Sequence, residues 1–204
     1  MMLMAPAAMA QTGKHFAIGG AIGLSKYADD NFSSKNPGFS PAYRLNLKPD
    51  AADGWKWAPK GSIGYSNRKT KGVIGGISTE LGRLQMIPIT GGIQRSLRQG
   101  PWQLGIGVGA GISINHFKVD GAARDARQSQ LGTTLNDIKV KNSLVIKPEV
   151  SAWYDIGKWV GVQGSLSYSI NRPKADTTVN GVTTSSTWKT DHASASVGLV
   201  VGIY

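Results

Sequence analysis

The sequence predicts an all-β fold, an eight-stranded antiparallel up-and-down transmembrane β-barrel with long loops at one end and short turns at the other. Three observations predict it: a hydrophobic period of two along most of the chain, connections that alternate between long and short, and tryptophans concentrated beside the short connections. No stretch approaches the roughly 20 consecutive apolar residues that a transmembrane helix needs. A membrane span of this chain therefore has to be made of strands.

The composition fits one folded domain and removes several classes of function. The chain has 204 residues, of which 40% are hydrophobic and 17% charged, and its 27 glycines lack the period of collagen. It contains no cysteine, which excludes disulfide scaffolds, thiolate zinc sites and cysteine nucleophiles. The net charge is +11, but the basic residues are scattered without a recognition motif, so we expect no nucleic-acid partner.

The first residues, 1–10, form a short apolar run that ends in Ala8-Met9-Ala10, the small-x-small pattern after which signal peptidase cleaves. We interpret this run as a signal peptide and expect export, with the barrel in residues 11–204. The run lacks a basic n-region, so a truncated longer signal and a plain apolar terminus are the alternatives.

Eight segments alternate between large apolar residues on one side and small or polar residues on the other, as strands with two unlike faces do. The clearest alternation is in the fifth segment, where Leu104, Ile106 and Val108 are separated by glycines. Pro88 interrupts the fourth segment, where we expect a bulge or a weakly paired position. The segments in chain order are 15–24, 43–48, 56–66, 87–96, 104–115, 143–154, 160–170 and 194–203.

The connections between these segments alternate in length, which places all long connections of an up-and-down barrel at one end. Transmembrane barrels have long extracellular loops and short periplasmic turns. Asn180-Gly181 lies between two runs of Thr and Val and predicts a type I′ turn, hence a hairpin within the last loop. The long connections are 26–39, 67–81, 118–139 and 171–191, and the short ones are 49–54, 98–103 and 155–158.

Five tryptophans lie beside the short turns, whereas Trp188 lies in a long loop. Indole rings favour the membrane–water interface, because the apolar body is buried there while the N–H remains hydrated. We interpret the five as a periplasmic aromatic girdle, with ordinary packing under the turns as the alternative. They are Trp55, Trp57, Trp102, Trp153 and Trp159.

The residues of the polar face indicate which face meets lipid. Gly, Ser, Asn and Gln dominate it, with scattered Lys and Arg, whereas a soluble barrel of the lipocalin type would present Lys, Glu, Thr and Asp to water. Small polar residues fit the narrow interior of an eight-stranded barrel. We therefore expect the apolar face to lie in lipid, and a soluble periplasmic ligand-binding β-barrel is a less favoured alternative.

Two groups of charged residues follow from this assignment. Inside the barrel, Glu149 should bridge at least one cation, since an unpaired charge in a narrow interior has a large desolvation cost unless water reaches it. The candidate cations of this interior cluster are Arg44, Lys60 and Lys147. At the long-loop end, basic residues are expected to attract the phosphates of lipopolysaccharide. They are Lys69, Lys71, Arg124, Arg127, Arg172, Lys174 and Lys189.

Residues 87–94 (IPITGGIQ), the turn at Gly100-Pro101 and the alternating run 104–111 (LGIGVGAG) resemble the central hairpin of the small eight-stranded bacterial outer-membrane β-barrel superfamily. The last residue, Tyr204, is similar to the terminal assembly signal of that group. The resemblance implies an integral protein of the outer membrane of a Gram-negative bacterium, with the barrel-assembly machinery as a partner during biogenesis. The group includes structural proteins, adhesins, small-molecule channels and a lipid A deacylase, so the resemblance does not imply one function.

The sequence contains no convincing catalytic group. His192-Ala193-Ser194 has the His-x-Ser spacing of the lipid A deacylases of that superfamily, but no acidic residue follows it. His15 and His116 have no partner at the spacing of a metal site. We predict a monomeric, non-enzymatic protein without cofactor or metal, with a structural or surface-interaction role through its long loops. A narrow channel or carrier for small molecules is the alternative.

Overall fold

The computed structural model describes residues 16–28, 38–40, 54–74, 77–157 and 160–203. The helix in this part of the chain is not long and apolar enough to cross a membrane. The strands that it describes are β1 Phe16–Tyr27, β2 Gly38–Ser40, β3 Gly54–Ile63, β4 Ser66–Ile74, β5 Ile77–Gln99, β6 Trp102–Val119, β7 Leu135–Val140, β8 Ser143–Asp155, β9 Val160–Asn171, β10 Lys174–Val179, β11 Val182–Thr187 and β12 His192–Ile203, and the helix is α1 Gly121–Leu131.

One antiparallel sheet runs in the order β2-β1-β12-β9-β8-β6-β5-β3, and β4 continues the line of β3 along β5. The first strand pairs with the last over its whole length, from Phe16 opposite Ile203 to Tyr27 opposite His192. The two ends of the sheet also approach each other, since β2 lies near β4. With β3 and β4 counted as one strand, the prediction of an eight-stranded antiparallel barrel is confirmed. The predicted segment 43–48 and the proposed signal peptide lie outside the described residues.

Pro88 leaves the pairing of β5 with β6 intact, where it lies opposite Ser113. The interruption falls on the other neighbour, at Gly64-Tyr65 between β3 and β4. The Gly64 N–H donates to the Pro88 carbonyl at 2.9 Å, but proline has no N–H with which to return the bond. The weakly paired position that the sequence predicts is therefore present, and it lies between β5 and its β3–β4 neighbour.

The large apolar residues of the barrel strands point outward. Val108, Leu166 and Val197 are 45%, 65% and 65% exposed on the isolated chain. A water-soluble monomer rarely exposes a continuous apolar surface of this extent. The outer face therefore lies in lipid, and the soluble periplasmic barrel is excluded. Other members of this apolar belt are Ile22, Leu24, Ile63, Ile87, Ile89, Ile93, Leu104, Ile106, Ile112, Ile114, Ile146, Val150 and Leu199.

The prediction of a long loop over 67–81 is wrong, because β4 and β5 remain paired from Ser66 opposite Met86 to Ile74 opposite Ile77. Hydrogen bonding between these two strands satisfies the backbone well beyond the apolar belt. The predicted loop 118–139 contains α1 and β7. The predicted all-β fold did not include the helix α1.

The two loops that follow β6 and β9 fold together into one layer, here called the cap, which consists of α1, β7, β10 and β11. The last three form an antiparallel sheet in the order β11-β10-β7. The turn between β10 and β11 has φ angles of 49° at Asn180 and 79° at Gly181, as the predicted type I′ turn requires. Asn180 N–H donates to the Thr134 carbonyl at 3.0 Å, and Thr134 N–H donates to Asn180 Oδ1 at 2.7 Å. These two bonds tie the hairpin tip to the loop before β7.

Candidate functional site

The barrel interior contains a buried ionic cluster on β3 and β8. Glu149 Oε1 lies 2.6 Å from Lys60 Nζ, and both side chains are 6% exposed. Glu149 Oε2 lies 3.4 Å from Lys147 Nζ, whose side chain is 27% exposed. The structure thus brings together three of the four interior charges that the sequence singled out, and Arg44 lies outside the described residues. Each carboxylate oxygen has its own ammonium partner, which offsets the desolvation of the buried charge.

Glycines make room for these long side chains. Lys60 and Lys147 occupy one row across four strands, with Gly92 and Gly109 between them. The next row places Gly107 beside Glu149. Because these glycines face inward and have no side chain, the lysines and the carboxylate can lie across the inner surface of β5 and β6. The glycines of the fifth predicted strand therefore form the surface on which the charges meet.

Serines form the wall of the barrel next to Glu149. The carboxylate is opposite Ser167, which is opposite Ser194, which in turn is opposite Ser25. The hydroxyls of Ser25 and Ser194 are 3.1 Å apart. Between this serine wall, made by β9, β12 and β1, and the two lysines lies a cavity of about 90 Å³. The cavity has room for several water molecules and is lined by groups that hydrogen-bond water.

An apolar cluster separates this cavity from the cap. Its members from the barrel point inward, so the inner surface changes from polar to apolar toward the extracellular end. Phe117 meets the ring of Trp188 edge to face, with centroids 5.3 Å apart. The buried members of this apolar plug are Tyr27, Leu84, Met86, Phe117, Leu135, Ile138, Val140 and Ala175.

At the periplasmic end of the interior, the structure shows that one sequence assignment is wrong. Trp153 lies opposite Gln163, whose side chain is buried, and therefore points inward. Its indole covers Gly161, where a Cβ would lie 2.2 Å from Trp153 Nε1. The sequence interpretation counted nearness to a turn and overlooked that Trp153 shares its face with Glu149. Trp153 is thus an interior residue and not part of the girdle.

Three of the predicted girdle residues lie on the exposed outer face, namely Trp55, Trp57 and Trp102. Arg95 lies over the first two rings, with its guanidinium carbon 5.6 and 5.9 Å from their centroids. Tyr154 takes the outward position beside Trp102, at 4.7 Å between ring centroids. Aromatic and basic side chains combined in this way suit the lipid headgroup level. Trp159 lies outside the described residues.

A row of cations crosses three strands on the outer face beyond the apolar belt. Lys69 on β4 is opposite Arg83 on β5, which is opposite Lys118 on β6. Arg83 and Lys118 are exposed, and the Lys69 side chain is 44% exposed. Lys69 Nζ also lies 2.9 Å from Glu80 Oε2. The sequence singled out Lys69 alone, because only the strand register shows that Arg83 and Lys118 lie beside it. We call these three residues the cationic row.

The other basic residues predicted for the loops do not form one cluster. Three of them contact other groups of the chain: Arg172 lies 3.2 Å from Asp191, Arg124 donates to the Asn136 carbonyl at 3.4 Å, and Arg127 donates to Thr133 Oγ1 at 3.3 Å. The remaining three are exposed, namely Lys71, Lys174 and Lys189. The basic residues of the extracellular end are therefore dispersed and do not form a single site.

One carboxylate of the cap is stabilised in its charged form. The Ser185 hydroxyl donates to Asp176 Oδ1 at 2.6 Å, and Lys141 Nζ lies 2.9 Å from Asp176 Oδ2. The hydrogen bond from the hydroxyl, and to a smaller extent the ammonium, holds the pKa of Asp176 below its ordinary value. These contacts join β11, β10 and the segment after β7.

The structure gives no catalytic geometry to His192 and Ser194. The His192 ring nitrogen Nδ1 lies 3.0 Å from the Thr190 carbonyl, and the Ser194 hydroxyl is bonded to Ser25. His116 is exposed on the outer face, and His15 lies outside the described residues. No group of three or more possible metal-ligating side chains occurs among the residues that the structure describes.

No family model and no curated protein matches the sequence. The solved structures with a similar fold include two outer membrane proteins. The crystal structure of the outer membrane protein OprG from Pseudomonas aeruginosa matches with a TM-score of 0.71 at 15% identity, over 95% of this chain and 99% of that one. The solid-state NMR structure of the outer membrane protein AlkL in lipid bilayers matches with a TM-score of 0.59 at 16% identity, over 100% of this chain and 97% of that one. The chain thus has the fold of the small outer-membrane β-barrel proteins, and its apolar belt fits that location.

Proposed function

We propose that the protein is a non-enzymatic surface-interaction protein of the outer membrane, whose extracellular rim binds the phosphates of lipopolysaccharide in the outer leaflet. The observation that carries this proposal is the cationic row of Lys69, Arg83 and Lys118. Phosphate is a strong acceptor of charge-assisted hydrogen bonds from Arg and Lys. Three such donors side by side form a surface for a multiply charged lipid headgroup.

The height of the row supports this partner. The pair Ile87 and Ile114 is the last apolar pair of the belt on β5 and β6, and Arg83 and Lys118 lie four residues further on. At about 3.4 Å per residue and a strand tilt of about 40°, this is roughly 10 Å beyond the belt. Charged headgroups lie at such a distance from the hydrocarbon.

Repulsion between the positive charges of the cationic row also favours a bound anion. Like charges directly opposite each other on paired strands destabilise a sheet. Glu80 neutralises Lys69, but Arg83 and Lys118 have no ion-pair partner among the described residues. A phosphate between them would remove the repulsion, so lipopolysaccharide binding should stabilise this edge of the barrel.

The barrel interior supports a binding function better than the transport of solutes. Among the described residues, the apolar plug lies between the cavity and the cap, and the Trp153 indole lies in the interior at the periplasmic end. A narrow channel or carrier for small molecules remains the alternative function, because the cavity is lined by polar groups. On either reading we expect a monomer, inserted by the barrel-assembly machinery.

Replacing two members of the row tests the proposal. We expect Arg83→Gln combined with Lys118→Gln to weaken binding of the purified barrel, in nanodiscs, to lipopolysaccharide by roughly 30-fold, at about 1 kcal/mol per cation near an anionic surface. Lys174→Gln on β10 combined with Lys189→Gln, two residues after β11, changes the net charge equally and should weaken binding much less. Removal of the lipid phosphates or addition of salt should abolish the difference. Equal losses in the two double variants, or binding that salt does not weaken, would contradict the proposal.

A further inference from the structure

We infer that the interior cavity is a binding site for a small oxyanion of the size of phosphate or a short carboxylate, held between Lys147 and the serine wall. This site is separate from the cationic row, which lies on the outer face, and does not depend on the role proposed for that row. Four observations carry the inference: the charge of the lining, the unequal engagement of the two lysines, the hydroxyl groups of the wall and the size of the space.

The lining is net positive among the described residues. Lys60, Lys147 and Arg68 line the cavity, whereas Glu149 is the only carboxylate in the described lining. Arg68 is 1% exposed. The charge of this lining favours an anion over a cation as a ligand.

The two lysines differ in their availability to a ligand. Lys60 is fully engaged, since its ammonium lies 2.6 Å from Glu149 and its side chain is as buried as the carboxylate. Lys147 lies at 3.4 Å and is about one quarter exposed, so water reaches it. An ammonium has three N–H donors. Lys147 can therefore keep its contact with Glu149 and still donate to an anion in the cavity.

Hydroxyls supply the remaining donors. Besides the row of Ser167, Ser194 and Ser25, the hydroxyls of Ser165 and Ser196 line the cavity, 2.7 Å apart. A serine hydroxyl can rotate to donate to whatever acceptor is present. The cavity of about 90 Å³ accommodates an ion of a few heavy atoms and not a sugar or a nucleotide. These limits specify phosphate-sized oxyanions and short carboxylates.

Glu149 sets the strength of binding. Its carboxylate competes with the anion for Lys147 and repels it at short range. The site should therefore bind weakly and reversibly, and removal of this one negative charge should strengthen binding. The same carboxylate is a buried partner of Lys60, so its loss should also reduce barrel stability.

The test uses the whole protein, purified in detergent micelles free of lipopolysaccharide, with inorganic phosphate and with acetate as probes. We expect saturable binding of one anion per barrel by calorimetry, with Lys147→Gln weakening it at least tenfold. Lys141→Gln, which removes a lysine directly after β7 and outside the cavity, should leave phosphate binding unchanged. Glu149→Gln should tighten phosphate binding several-fold, and its heat-modifiable gel mobility reports whether this variant is folded.

The outcomes separate the two proposed anion sites. Phosphate binding that is non-saturable, that Lys147→Gln leaves unchanged, or that the Arg83→Gln and Lys118→Gln double variant abolishes would overturn an interior site. Acetate binding without phosphate binding would narrow the ligand to carboxylates and support the site. If Glu149→Gln does not fold, the phosphate affinities of Lys147→Gln and Lys141→Gln still decide whether the anion binds inside the barrel.

Discussion

Strand β6 has opposite polarity in its two halves, although its side chains alternate without interruption. In the membrane half, Val108 points outward into lipid and Gly109 points inward toward the ionic cluster. In the extracellular half, Phe117 points inward and is 7% exposed, whereas Lys118 points outward and is exposed. The neighbouring β5 changes in the same way. There Ile89 faces out and Thr90 in, but Arg83 faces out and Leu84 in.

The inversion shows that the solvent, and not the backbone, sets the polarity of each face. Within lipid the exterior has to be apolar, which leaves the polar residues inside. Above the lipid the exterior meets water and headgroups, and the barrel interior becomes a mostly apolar core under the cap, in which the buried Arg68 lies over the Tyr27 ring. The level at which the faces exchange, just beyond Ile87 and Ile114, marks the extracellular edge of the hydrocarbon.

The largest effect that this comparison predicts is at Phe117. Because its ring is buried against Trp188 in the apolar plug, Phe117→Ala should lower the free energy of unfolding by about 3–5 kcal/mol, as a core truncation does. His116→Ala, on the exposed outer face one residue away, should change it by less than about 0.5 kcal/mol. Urea titrations of the barrel in lipid vesicles measure both. Equal effects would show that the extracellular half has no core of its own.

A smaller effect is expected for a charge on the lipid face. Val108 lies six residues from Trp102 in the girdle and six from Ile114 at the opposite edge of the belt, so it is at the bilayer midplane. Val108→Arg should cost about 2–4 kcal/mol. His116→Arg lies on the same face of the same strand but beyond the belt, and we expect almost no cost. If both variants insert and unfold alike in vesicles, the position of the belt is wrong.

The period of two identified seven of the eight barrel strands, because lipid on one side and a narrow interior on the other impose opposite chemistry on alternate residues; the predicted segment 43–48 lies outside the described residues, and β2 begins within the predicted loop 26–39. It could not identify α1, whose signals are short: the Asp120 side chain accepts from Ala122 N–H, and Gly132 ends the helix with a φ of 62°. It also missed the continuation of β4 and β5 beyond the membrane, since the inverted polarity there breaks the pattern that a lipid-facing strand should have.

Parity placed Lys60, Lys147 and Glu149 on the inner face, and their distances required the structure. The cationic row could not be predicted from the sequence, because the pairing of Lys69 with Arg83 and of Arg83 with Lys118 depends on strand register. Register is fixed by turn geometry and by which face is buried, and neither is visible at a single position.

Two glycines at similar depth in the membrane sharpen the comparison between the inner and outer faces. Gly107 points inward on β6, and a Cβ there would lie 2.7 Å from the Ile93 carbonyl oxygen and 3.0 Å from Gln94 Cα. Both are backbone atoms that cannot move aside, so Gly107→Ala should cost about 1–3 kcal/mol through overpacking.

Gly91 is exposed on the outer face of β5, and a Cβ there meets nothing within 4 Å. Gly91→Ala should instead be neutral or stabilising, because it restricts the unfolded chain and adds a methyl group to the lipid-facing surface. Urea unfolding in vesicles compares the two, and a Gly107→Ala barrel as stable as Gly91→Ala would mean that the interior of the barrel is looser than the structure indicates.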